Sequence, residues 1–285
     1  MSPAAPPPPI RWPAEAIWEA VAPVLPGFTV EVLPQIDSSN SELMRRFRAA
    51  GPTAAEPVLL VAEQQSAGRG RMGRGWQSRV GDSLTFSLGL PLKPADWSGL
   101  SLAVGISLAE SLEPKHGGQP QIRLKWPNDL WLSNAQGERK LAGILVETAS
   151  WGELRYVVIG VGLNIRPLAL ADTAAVPGQA APLPPGALQD LLPDVDVAQA
   201  LAQVAAPLVQ ALQAFELFGF APFQARFALR DALAGRAVRL SDGTEGMAHG
   251  VGENGALLVH TAAGMQAITS SEVSVRPIAG HPPAC

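Results

Sequence analysis

Arginine and glycine alternate over a short segment, residues 68–75, which contains four glycines, three arginines and no acidic residue. Glycine lets the backbone approach an anion closely, and a guanidinium group makes bidentate, permanently charged contacts with phosphate or carboxylate. The segment therefore predicts an anion-binding loop whose cations are Arg69, Arg71 and Arg74. The same composition also fits a solvated basic loop or an RNA-binding glycine–arginine segment.

Segment 125–129 reads KWPND and lies between two apolar stretches. Lys125 supplies a positive charge, and Asp129 carries a carboxylate of the kind that Mg²⁺ prefers. By composition alone the segment is also an ordinary β-turn, because Pro, Asn and Asp are all typical turn residues.

Two later segments place glycine inside apolar strands. Lys140 opens segment 140–147, which reads KLAGILVE with Gly143 in its interior, and segment 160–164 reads GVGLN. A glycine within a strand often marks the close approach of a ligand or of another backbone. A surface lysine at a strand end and a β-bulge explain the same patterns without a ligand.

Other catalytic chemistries have little support in the sequence. The four histidines lie outside all of these segments and the only cysteine is Cys285, so neither a nucleophilic triad nor a zinc cluster is expected. The formal net charge of −4 argues against a surface devoted to nucleic acid. These observations favour phosphate-centred chemistry, in which fixed cations stabilise negative charge without a protein nucleophile.

The hydrophobic pattern predicts an α+β fold, with a mixed, largely antiparallel sheet and helices on one face. Helices are expected over 13–21, with Ile17, Trp18 and Val21 facing inward, and over 41–50, 100–112 and 197–233. Strands are expected over 28–33, 58–62, 83–90, 122–126, 130–132, 141–148 and 156–163. We expect a disordered, Pro-rich tail over 1–10, a catalytic domain over 11–233, a small β-barrel over 234–278 and a second tail over 279–285.

In order and spacing, five segments resemble the motifs of the biotin-protein ligase family, which includes the bacterial biotin ligases and the eukaryotic holocarboxylase synthetases. They are SSN at 38–40, GRGRMGRGW at 68–76, KWPND at 125–129, KLAGILVE at 140–147 and GVGLN at 160–164. Segment 234–278 is similar, more weakly, to the SH3-like C-terminal domain of that family. The resemblance implies the biotin/lipoate ligase-like fold and an ATP-dependent, carbon–nitrogen bond-forming ligase.

The resemblance also implies a role for each matched residue. Those expected to bind biotin are Ser38, Ser39, Asn40, Gln65, Gly68, Arg69, Gly70, Arg71, Lys140, Gly143, Leu145, Gly160 and Leu163. Those expected to bind ATP are Arg69, Arg71, Arg74, Trp76, Lys125, Asn128 and Asn164, with Asp129 as the Mg²⁺ ligand. Those expected to be catalytic are Arg71, Lys125 and Lys140.

The implied reaction has two steps. Biotin and ATP give biotinyl-AMP and pyrophosphate, and biotin then passes to a lysine of a biotin-carrier domain of a carboxylase. Some members of the family form homodimers and some bind DNA, but too few residues precede Phe28 for the DNA-binding domain of the bifunctional members. Lipoate or octanoate ligases and transferases on the same fold remain the alternative, with a non-enzymatic RNA-binding or biotin-responsive protein as a more distant one.

The location of the protein is also predicted from the sequence. The chain has no pair of cysteines, no basic stretch followed by an apolar segment at its start, and no uninterrupted apolar run long enough to cross a bilayer. We therefore expect a cytoplasmic protein without a membrane partner.

Overall fold

The computed structural model describes residues 9–113, 118–167, 184–269 and 275–278. Its strands are β1 (Thr29–Leu33), β2 (Val58–Ala62), β3 (Gly68–Arg69), β4 (Gly75–Trp76), β5 (Ser83–Pro91), β6 (Ile122–Lys125), β7 (Asp129–Asn134), β8 (Gly137–Trp151), β9 (Leu154–Asn164), β10 (Ala237–Leu240), β11 (Glu245–Val251), β12 (Leu257–Thr261), β13 (Gly264–Ile268) and β14 (Val275–Pro277). Its helices are α1 (Ala14–Val21), α2 (Ser39–Ala50), α3 (Leu100–Leu112), α4 (Val197–Phe218) and α5 (Ala221–Ala228).

The larger sheet has seven strands in the order β1-β2-β5-β9-β8-β7-β6. β1 and β2 run parallel, and the other neighbouring pairs of this sheet are antiparallel. The prediction of a mixed, largely antiparallel sheet is therefore confirmed. Every residue of β5 except Pro91 is buried, because this strand has a neighbour on each side and is covered on both faces.

Different helices cover the two faces of this sheet. Along β2, Leu59 and Val61 pack in the main core with α1, α3 and α4, whereas Val58 and Leu60 pack in a second cluster with Leu43 of α2. Successive strand residues point to opposite faces, so α2 lies on the face opposite to the other three helices. The expectation of helices on one face is wrong for α2, because helical periodicity predicts a buried side but not which sheet face it meets.

Two expectations about the helices also differ from the structure. Trp18 is 50% exposed whereas Ile17 and Val21 are buried, since neighbouring helical residues point about 100° apart and burial of 17 and 21 turns 18 outward. The helical stretch expected over 197–233 divides into α4 and α5 at Gly219, whose φ of 63° is a conformation that favours glycine.

Among the described residues, α4 is the one helix long and apolar enough to cross a membrane by length and composition alone. Its buried side, which includes Leu201, Leu208 and Phe215, packs in the main core beside α3. Within this structure α4 is therefore a core helix.

The C-terminal strands form a separate five-stranded antiparallel sheet in the order β13-β12-β11-β10-β14. Its buried residues, Val238 and Leu257 among them, belong to the same core cluster as residues of α1, α3 and α4. The indole of Trp126 donates a buried hydrogen bond of 3.0 Å to the Gly255 carbonyl. This sheet therefore docks directly behind the KWPND turn.

The ends of the chain are only partly described. Ile10, which the sequence assigned to the tail over 1–10, packs against the main core. Residues 1–8 and the expected tail at 279–285 lie outside the described residues. The domain limits of 11–233 and 234–278 otherwise stay predictions.

Candidate active site

The start of α2 brings three small polar residues to the edge of the sheet. Ser38 is the N-cap of α2, with extended backbone and a hydroxyl that accepts a 3.4 Å hydrogen bond from the Ser41 amide. Ser38, Ser39 and Asn40 are only 2%, 4% and 3% exposed. Buried polar groups require partners, and Gln65 Oε1 provides one by accepting the Ser39 backbone amide at 2.8 Å.

Asn40 has both ends of its side-chain amide engaged. Its Oδ1 lies 2.6 Å from the Ser87 hydroxyl, and its Nδ2 donates to the Leu145 carbonyl at 3.2 Å and to Glu147 Oε2 at 3.0 Å. The Ser39 and Ser87 hydroxyls lie 2.7 Å apart. Neither Ser87 nor Glu147 is among the residues expected from the sequence, although a serine inside the apolar strand β5 is a usable signal.

The glycine–arginine segment forms a small hairpin beside this turn. β3 pairs with β4, and the Gly70 amide donates to the Arg74 carbonyl at 2.7 Å. The tip turns through Met72 and Gly73, which both have positive φ. The Met72 side chain is exposed, so it has room at this turn despite the positive φ. Gly73 adopts its positive φ without steric cost, because glycine has no Cβ. The hairpin therefore places its arginines beside the cleft rather than spreading them along a solvated loop.

A cluster of cations surrounds one carboxylate at the other end of the cleft. Lys140 Nζ lies 2.8 Å from Asp129 Oδ1, and Arg71 Nη1 donates to Asn128 Oδ1 at 3.3 Å. Asn128 is held in turn, since its Nδ2 donates to the Ile144 carbonyl at 2.8 Å. The KWPND turn and strand β8 thus fix Asn128, Asp129 and Lys140 relative to one another.

The cations of this cluster are partly desolvated. Burial lowers the pKa of Lys125 to about 8, the charge of Asp129 opposes this shift, and the nearby charges of Lys140, Arg74 and Arg71 lower the pKa further. Burial likewise lowers the pKa of Arg71, with Asp129 opposing the effect. An anionic ligand would relieve the mutual repulsion of these groups, so the cluster favours binding of negative charge.

Glycines on β8 and β9 allow side chains to lie flat against the sheet. A methyl group on Gly162 would overlap the indole of Trp76, and one on Gly160 would overlap the amide of Asn40. The Trp76 ring also lies over Gly143, and its Nε1 is buried with no hydrogen-bond partner within the described ranges. The glycines in KLAGILVE and GVGLN therefore permit close approach, which is the role their positions within strands indicate.

These groups line one cleft. The residues predicted from the sequence that line it are Ser38, Ser39, Asn40, Gln65, Arg69, Gly70, Arg71, Arg74, Trp76, Lys125, Asn128, Asp129, Lys140, Gly143, Leu145 and Gly160. Further lining residues, not predicted, are Met72, Gly75, Phe86, Pro127, Ile144, Val161 and Gly162.

Three predicted residues do not line the cleft. Leu163 is 1% exposed and packs in the main core, because the alternation along β9 turns it away from the site. Asn164 donates to the carbonyls of Lys140 and Gly186, at 3.2 and 3.0 Å, and so fixes the start of the KLAGILVE strand. Gly68 lies against the Trp76 backbone, where a side chain would not fit.

The cleft has two chemically different ends. The end formed by Ser38, Ser39, Asn40 and Gln65 offers neutral hydrogen-bonding groups, whereas the other end carries lysines and arginines. Asp129 is the only carboxylate among the described residues that line the cleft, and the described part of the chain has no cluster of three or more metal-ligating side chains. The arrangement suits a ligand that is neutral and polar at one end and multiply anionic at the other.

Family models match both parts of the chain. The biotin/lipoate A/B protein ligase family matches residues 33–164, and the biotin protein ligase C terminal domain matches residues 234–276. The bifunctional ligase/repressor BirA of Escherichia coli is 36% identical over 258 residues, which cover 88% of this chain and 75% of the relative. The biotin–[acetyl-CoA-carboxylase] ligase of Paracoccus denitrificans is 30% identical over 252 residues, covering 85% and 98%.

Comparison of the fold with solved structures agrees with the sequence comparison. The structure of the biotin protein ligase from Aquifex aeolicus in complex with biotin and ATP superposes with a TM-score of 0.70 and 27% identity, covering 87% of this chain and 99% of that one. The order of motifs, the two-ended cleft and these matches agree with one another. The chain belongs to the biotin protein ligase family.

Proposed function

We propose that this protein activates biotin with ATP to form biotinyl-AMP and then transfers biotin to a lysine of a carboxylase's biotin-carrier domain. The observation that carries this proposal is the two-ended cleft, in which a neutral hydrogen-bonding end faces a cluster of four cations. The names of the relatives, which include a biotin–[acetyl-CoA-carboxylase] ligase, and the biotin and ATP of the Aquifex complex support it.

The ureido ring of biotin is neutral and has both donors and acceptors, so it suits the buried end of the cleft. Ser38, Ser39 and Asn40 are the groups proposed to bind it, and Phe86 and Leu145 supply apolar walls. The valeryl chain then leads the carboxylate toward Lys140. The ring is therefore bound at one end of the cleft, and the carboxylate reacts at the other.

The first step needs charge stabilisation rather than a nucleophile from the protein. A biotin carboxylate oxygen forms a bond to the α-phosphorus of ATP while the bond to the pyrophosphate oxygen breaks, and pyrophosphate leaves with that electron pair. Negative charge on the phosphoryl oxygens is stabilised by Arg71, Lys125 and Lys140, which are already fixed in the cleft. Trp76 supplies an aromatic surface for the adenine.

The second step is attack on the mixed anhydride. A neutral lysine amine of the acceptor forms a bond to the biotinyl carbonyl carbon, the carbon–oxygen bond to AMP breaks, and AMP leaves with the electron pair while the amine releases a proton. Water would cleave the same bond. Exclusion of water by the β3–β4 hairpin is therefore part of the proposal.

A magnesium ion is proposed to enter with ATP. Asp129 offers one carboxylate at the cationic end, and Mg²⁺ typically uses one or two carboxylates together with substrate phosphates rather than an all-protein cage. The donor set fits an ion of that kind, which would neutralise phosphate charge when bound. Asp129→Asn should raise the Mg²⁺ concentration needed for half-maximal activity, whereas an unchanged requirement would remove Asp129 as a ligand.

The proposal extends to assembly and location. No strand of the described ranges pairs with the outer edge of β8 beyond Ile144, and an unpaired edge of this length supports a homodimer formed edge to edge. Use of ATP and the single cysteine of the sequence support a cytoplasmic location. The net charge of −4 gives no support to a DNA-binding role.

Substrate competition tests the proposed function. The protein is incubated with ATP, Mg²⁺ and biotin, lipoate or octanoate in turn, and pyrophosphate release and transfer to a purified carrier domain are measured. Biotin-dependent release followed by labelling of the carrier lysine is the expected result. Activity with lipoate or octanoate but not biotin would assign the protein to the alternative substrate class, and no pyrophosphate release with any acid would overturn the enzymatic proposal.

A further inference from the structure

Glu147, the last residue of the KLAGILVE segment, joins the two walls of the cleft, although no role was assigned to it from the sequence. Its Oε2 accepts the hydrogen bond from Asn40 Nδ2 at 3.0 Å, and its Oε1 lies 3.1 Å from Nη2 of Arg69. Arg69 also donates from Nη1 to the Ser41 hydroxyl at 3.3 Å. One carboxylate therefore contacts the turn proposed to bind the biotin ring and the hairpin proposed to cover the carboxyl end.

The hydrogen bonds at this point have a consistent direction. Ser87 Oγ lies 2.6 Å from Asn40 Oδ1 and 2.7 Å from Ser39 Oγ, and Ser39 Oγ also lies 3.2 Å from Gln65 Oε1. Asn40 Oδ1 can only accept, so Ser87 donates its one proton to that oxygen. Asn40 then presents its amide protons to Glu147 and to a backbone carbonyl. The ionised carboxylate, which only accepts, ends this chain and faces the guanidinium of Arg69.

We propose that Glu147 is a positioning residue that couples recognition of the biotin ring by Asn40 to the placement of Arg69, and through Arg69 to closure of the β3–β4 hairpin. This inference rests on the function proposed above. The side chain of Glu147 is 22% exposed and that of Arg69 is 50% exposed. A half-exposed ion pair of this kind supports an effect of about two- to five-fold, enough to bias the hairpin without locking it.

Two substitutions separate the contacts of Glu147. Glu147→Gln keeps an oxygen that accepts from Asn40 but removes the charge that holds Arg69, whereas Glu147→Ala removes both contacts. Glu147→Gln should therefore leave the KM for biotin near the wild-type value and increase escape of biotinyl-AMP by about two- to five-fold. Glu147→Ala should raise the KM for biotin as well. The matched control is Glu153→Gln, which removes one exposed acid from the turn between β8 and β9.

The measurements are biotinyl-AMP release after gel filtration of the enzyme and trypsin cleavage after Arg69 and Arg71 in the free protein. Faster release and faster cleavage in Glu147→Gln, with Glu153→Gln like wild type, is the supporting result. In an Arg69→Ala background, Glu147→Gln should cause no further increase in release, since the partner is already absent. An effect that persists undiminished in that background would overturn the coupling through Arg69.

Two other outcomes would also overturn the inference. One is a Glu147→Gln variant that matches wild type in both release and cleavage, and the other is a rise in KM for biotin without any change in release. Failure of the proposed function is distinguishable, because wild type would then form no biotinyl-AMP. The cleavage comparison needs no substrate, so it tests the ion pair between Glu147 and Arg69 whether or not the proposed function is correct.

Discussion

Lys140 Nζ and Asp129 Oδ1 lie 2.8 Å apart across the neighbouring strands β8 and β7. The register that pairs Asp129 with Gly143 brings the lysine over a residue without a side chain, and Trp76 lies on the same glycine. The carboxylate thus holds a cation in place at the reacting end of the cleft before any substrate arrives. Such fixed charges stabilise a transition state without reorganisation during the reaction.

Lys140→Ala should abolish most biotinyl-AMP formation, with a loss of about 10²- to 10³-fold in kcat for pyrophosphate release. Lys140→Arg should restore little, because a planar guanidinium does not reproduce a compact ammonium beside Asp129. The exposed Lys93 provides the matched control, and Lys93→Ala should behave as wild type. Pyrophosphate release within a few-fold of wild type in Lys140→Ala would exclude the residue from the mechanism.

The lowered pKa of Lys125 predicts a pH dependence. With a pKa of about 8 in the folded protein, Lys125 is charged below this value and neutral above it. As pH rises through about 8, the cleft loses a cation, so kcat/KM for ATP measured by pyrophosphate release should fall. Lys125→Arg keeps its charge and should remove this decline. An equal decline of kcat/KM in wild type and in Lys125→Arg would show that another group titrates.

Protein stability should change in the opposite direction over the same range. Between about 8 and the ordinary lysine pKa of 10.5, the unfolded chain keeps a proton that the folded protein has released. The contribution of Lys125 to the free energy of unfolding therefore rises with pH in this window.

Local sequence patterns predicted most of the strands and helices. The limits of α3 and β2 match the predicted ranges, and the glycines and prolines between elements marked most other boundaries to within a few residues. Which face a helix covers could not be predicted, because it depends on how the chain crosses the sheet. The position of α2 is the clearest case.

The site was predicted as a set of segments, but its internal contacts depend on sheet register. Ser87 reaches Asn40 because β5 pairs with β9 so that Ser87 lies opposite Gly160. Glu147 reaches Arg69 across 78 positions of sequence. Asn164 illustrates the converse, since a polar residue in a matching motif binds the backbone of Lys140 and Gly186 instead of facing the cleft.

The hydrogen bond between Trp126 and the Gly255 carbonyl predicts a measurable contribution to stability. Trp126→Phe leaves that buried carbonyl without its donor, which should lower the free energy of unfolding by about 1–3 kcal/mol. The half-exposed Trp18 is the control, and Trp18→Phe should change stability by no more than about 0.5 kcal/mol. Equal denaturant midpoints for the two variants would show that this bond does not stabilise the docking of the C-terminal sheet.

The two glycines of β9 should affect different substrates. Gly160→Ala places a methyl group against the amide of Asn40 and should raise the KM for biotin, whereas Gly162→Ala places one against the Trp76 indole and should raise the KM for ATP. Each methyl overlaps a side chain that lines the cleft and must displace it, so a change of about tenfold or more in the matching KM is expected. Gly118→Ala is the control, since no described atom lies within 4 Å of an added Cβ there and its φ is outside the range that favours glycine. Separate titrations of biotin and ATP in pyrophosphate release measure the two constants. Equal changes in both constants for Gly160→Ala and Gly162→Ala would mean that the ends of the cleft do not recognise separate ligands.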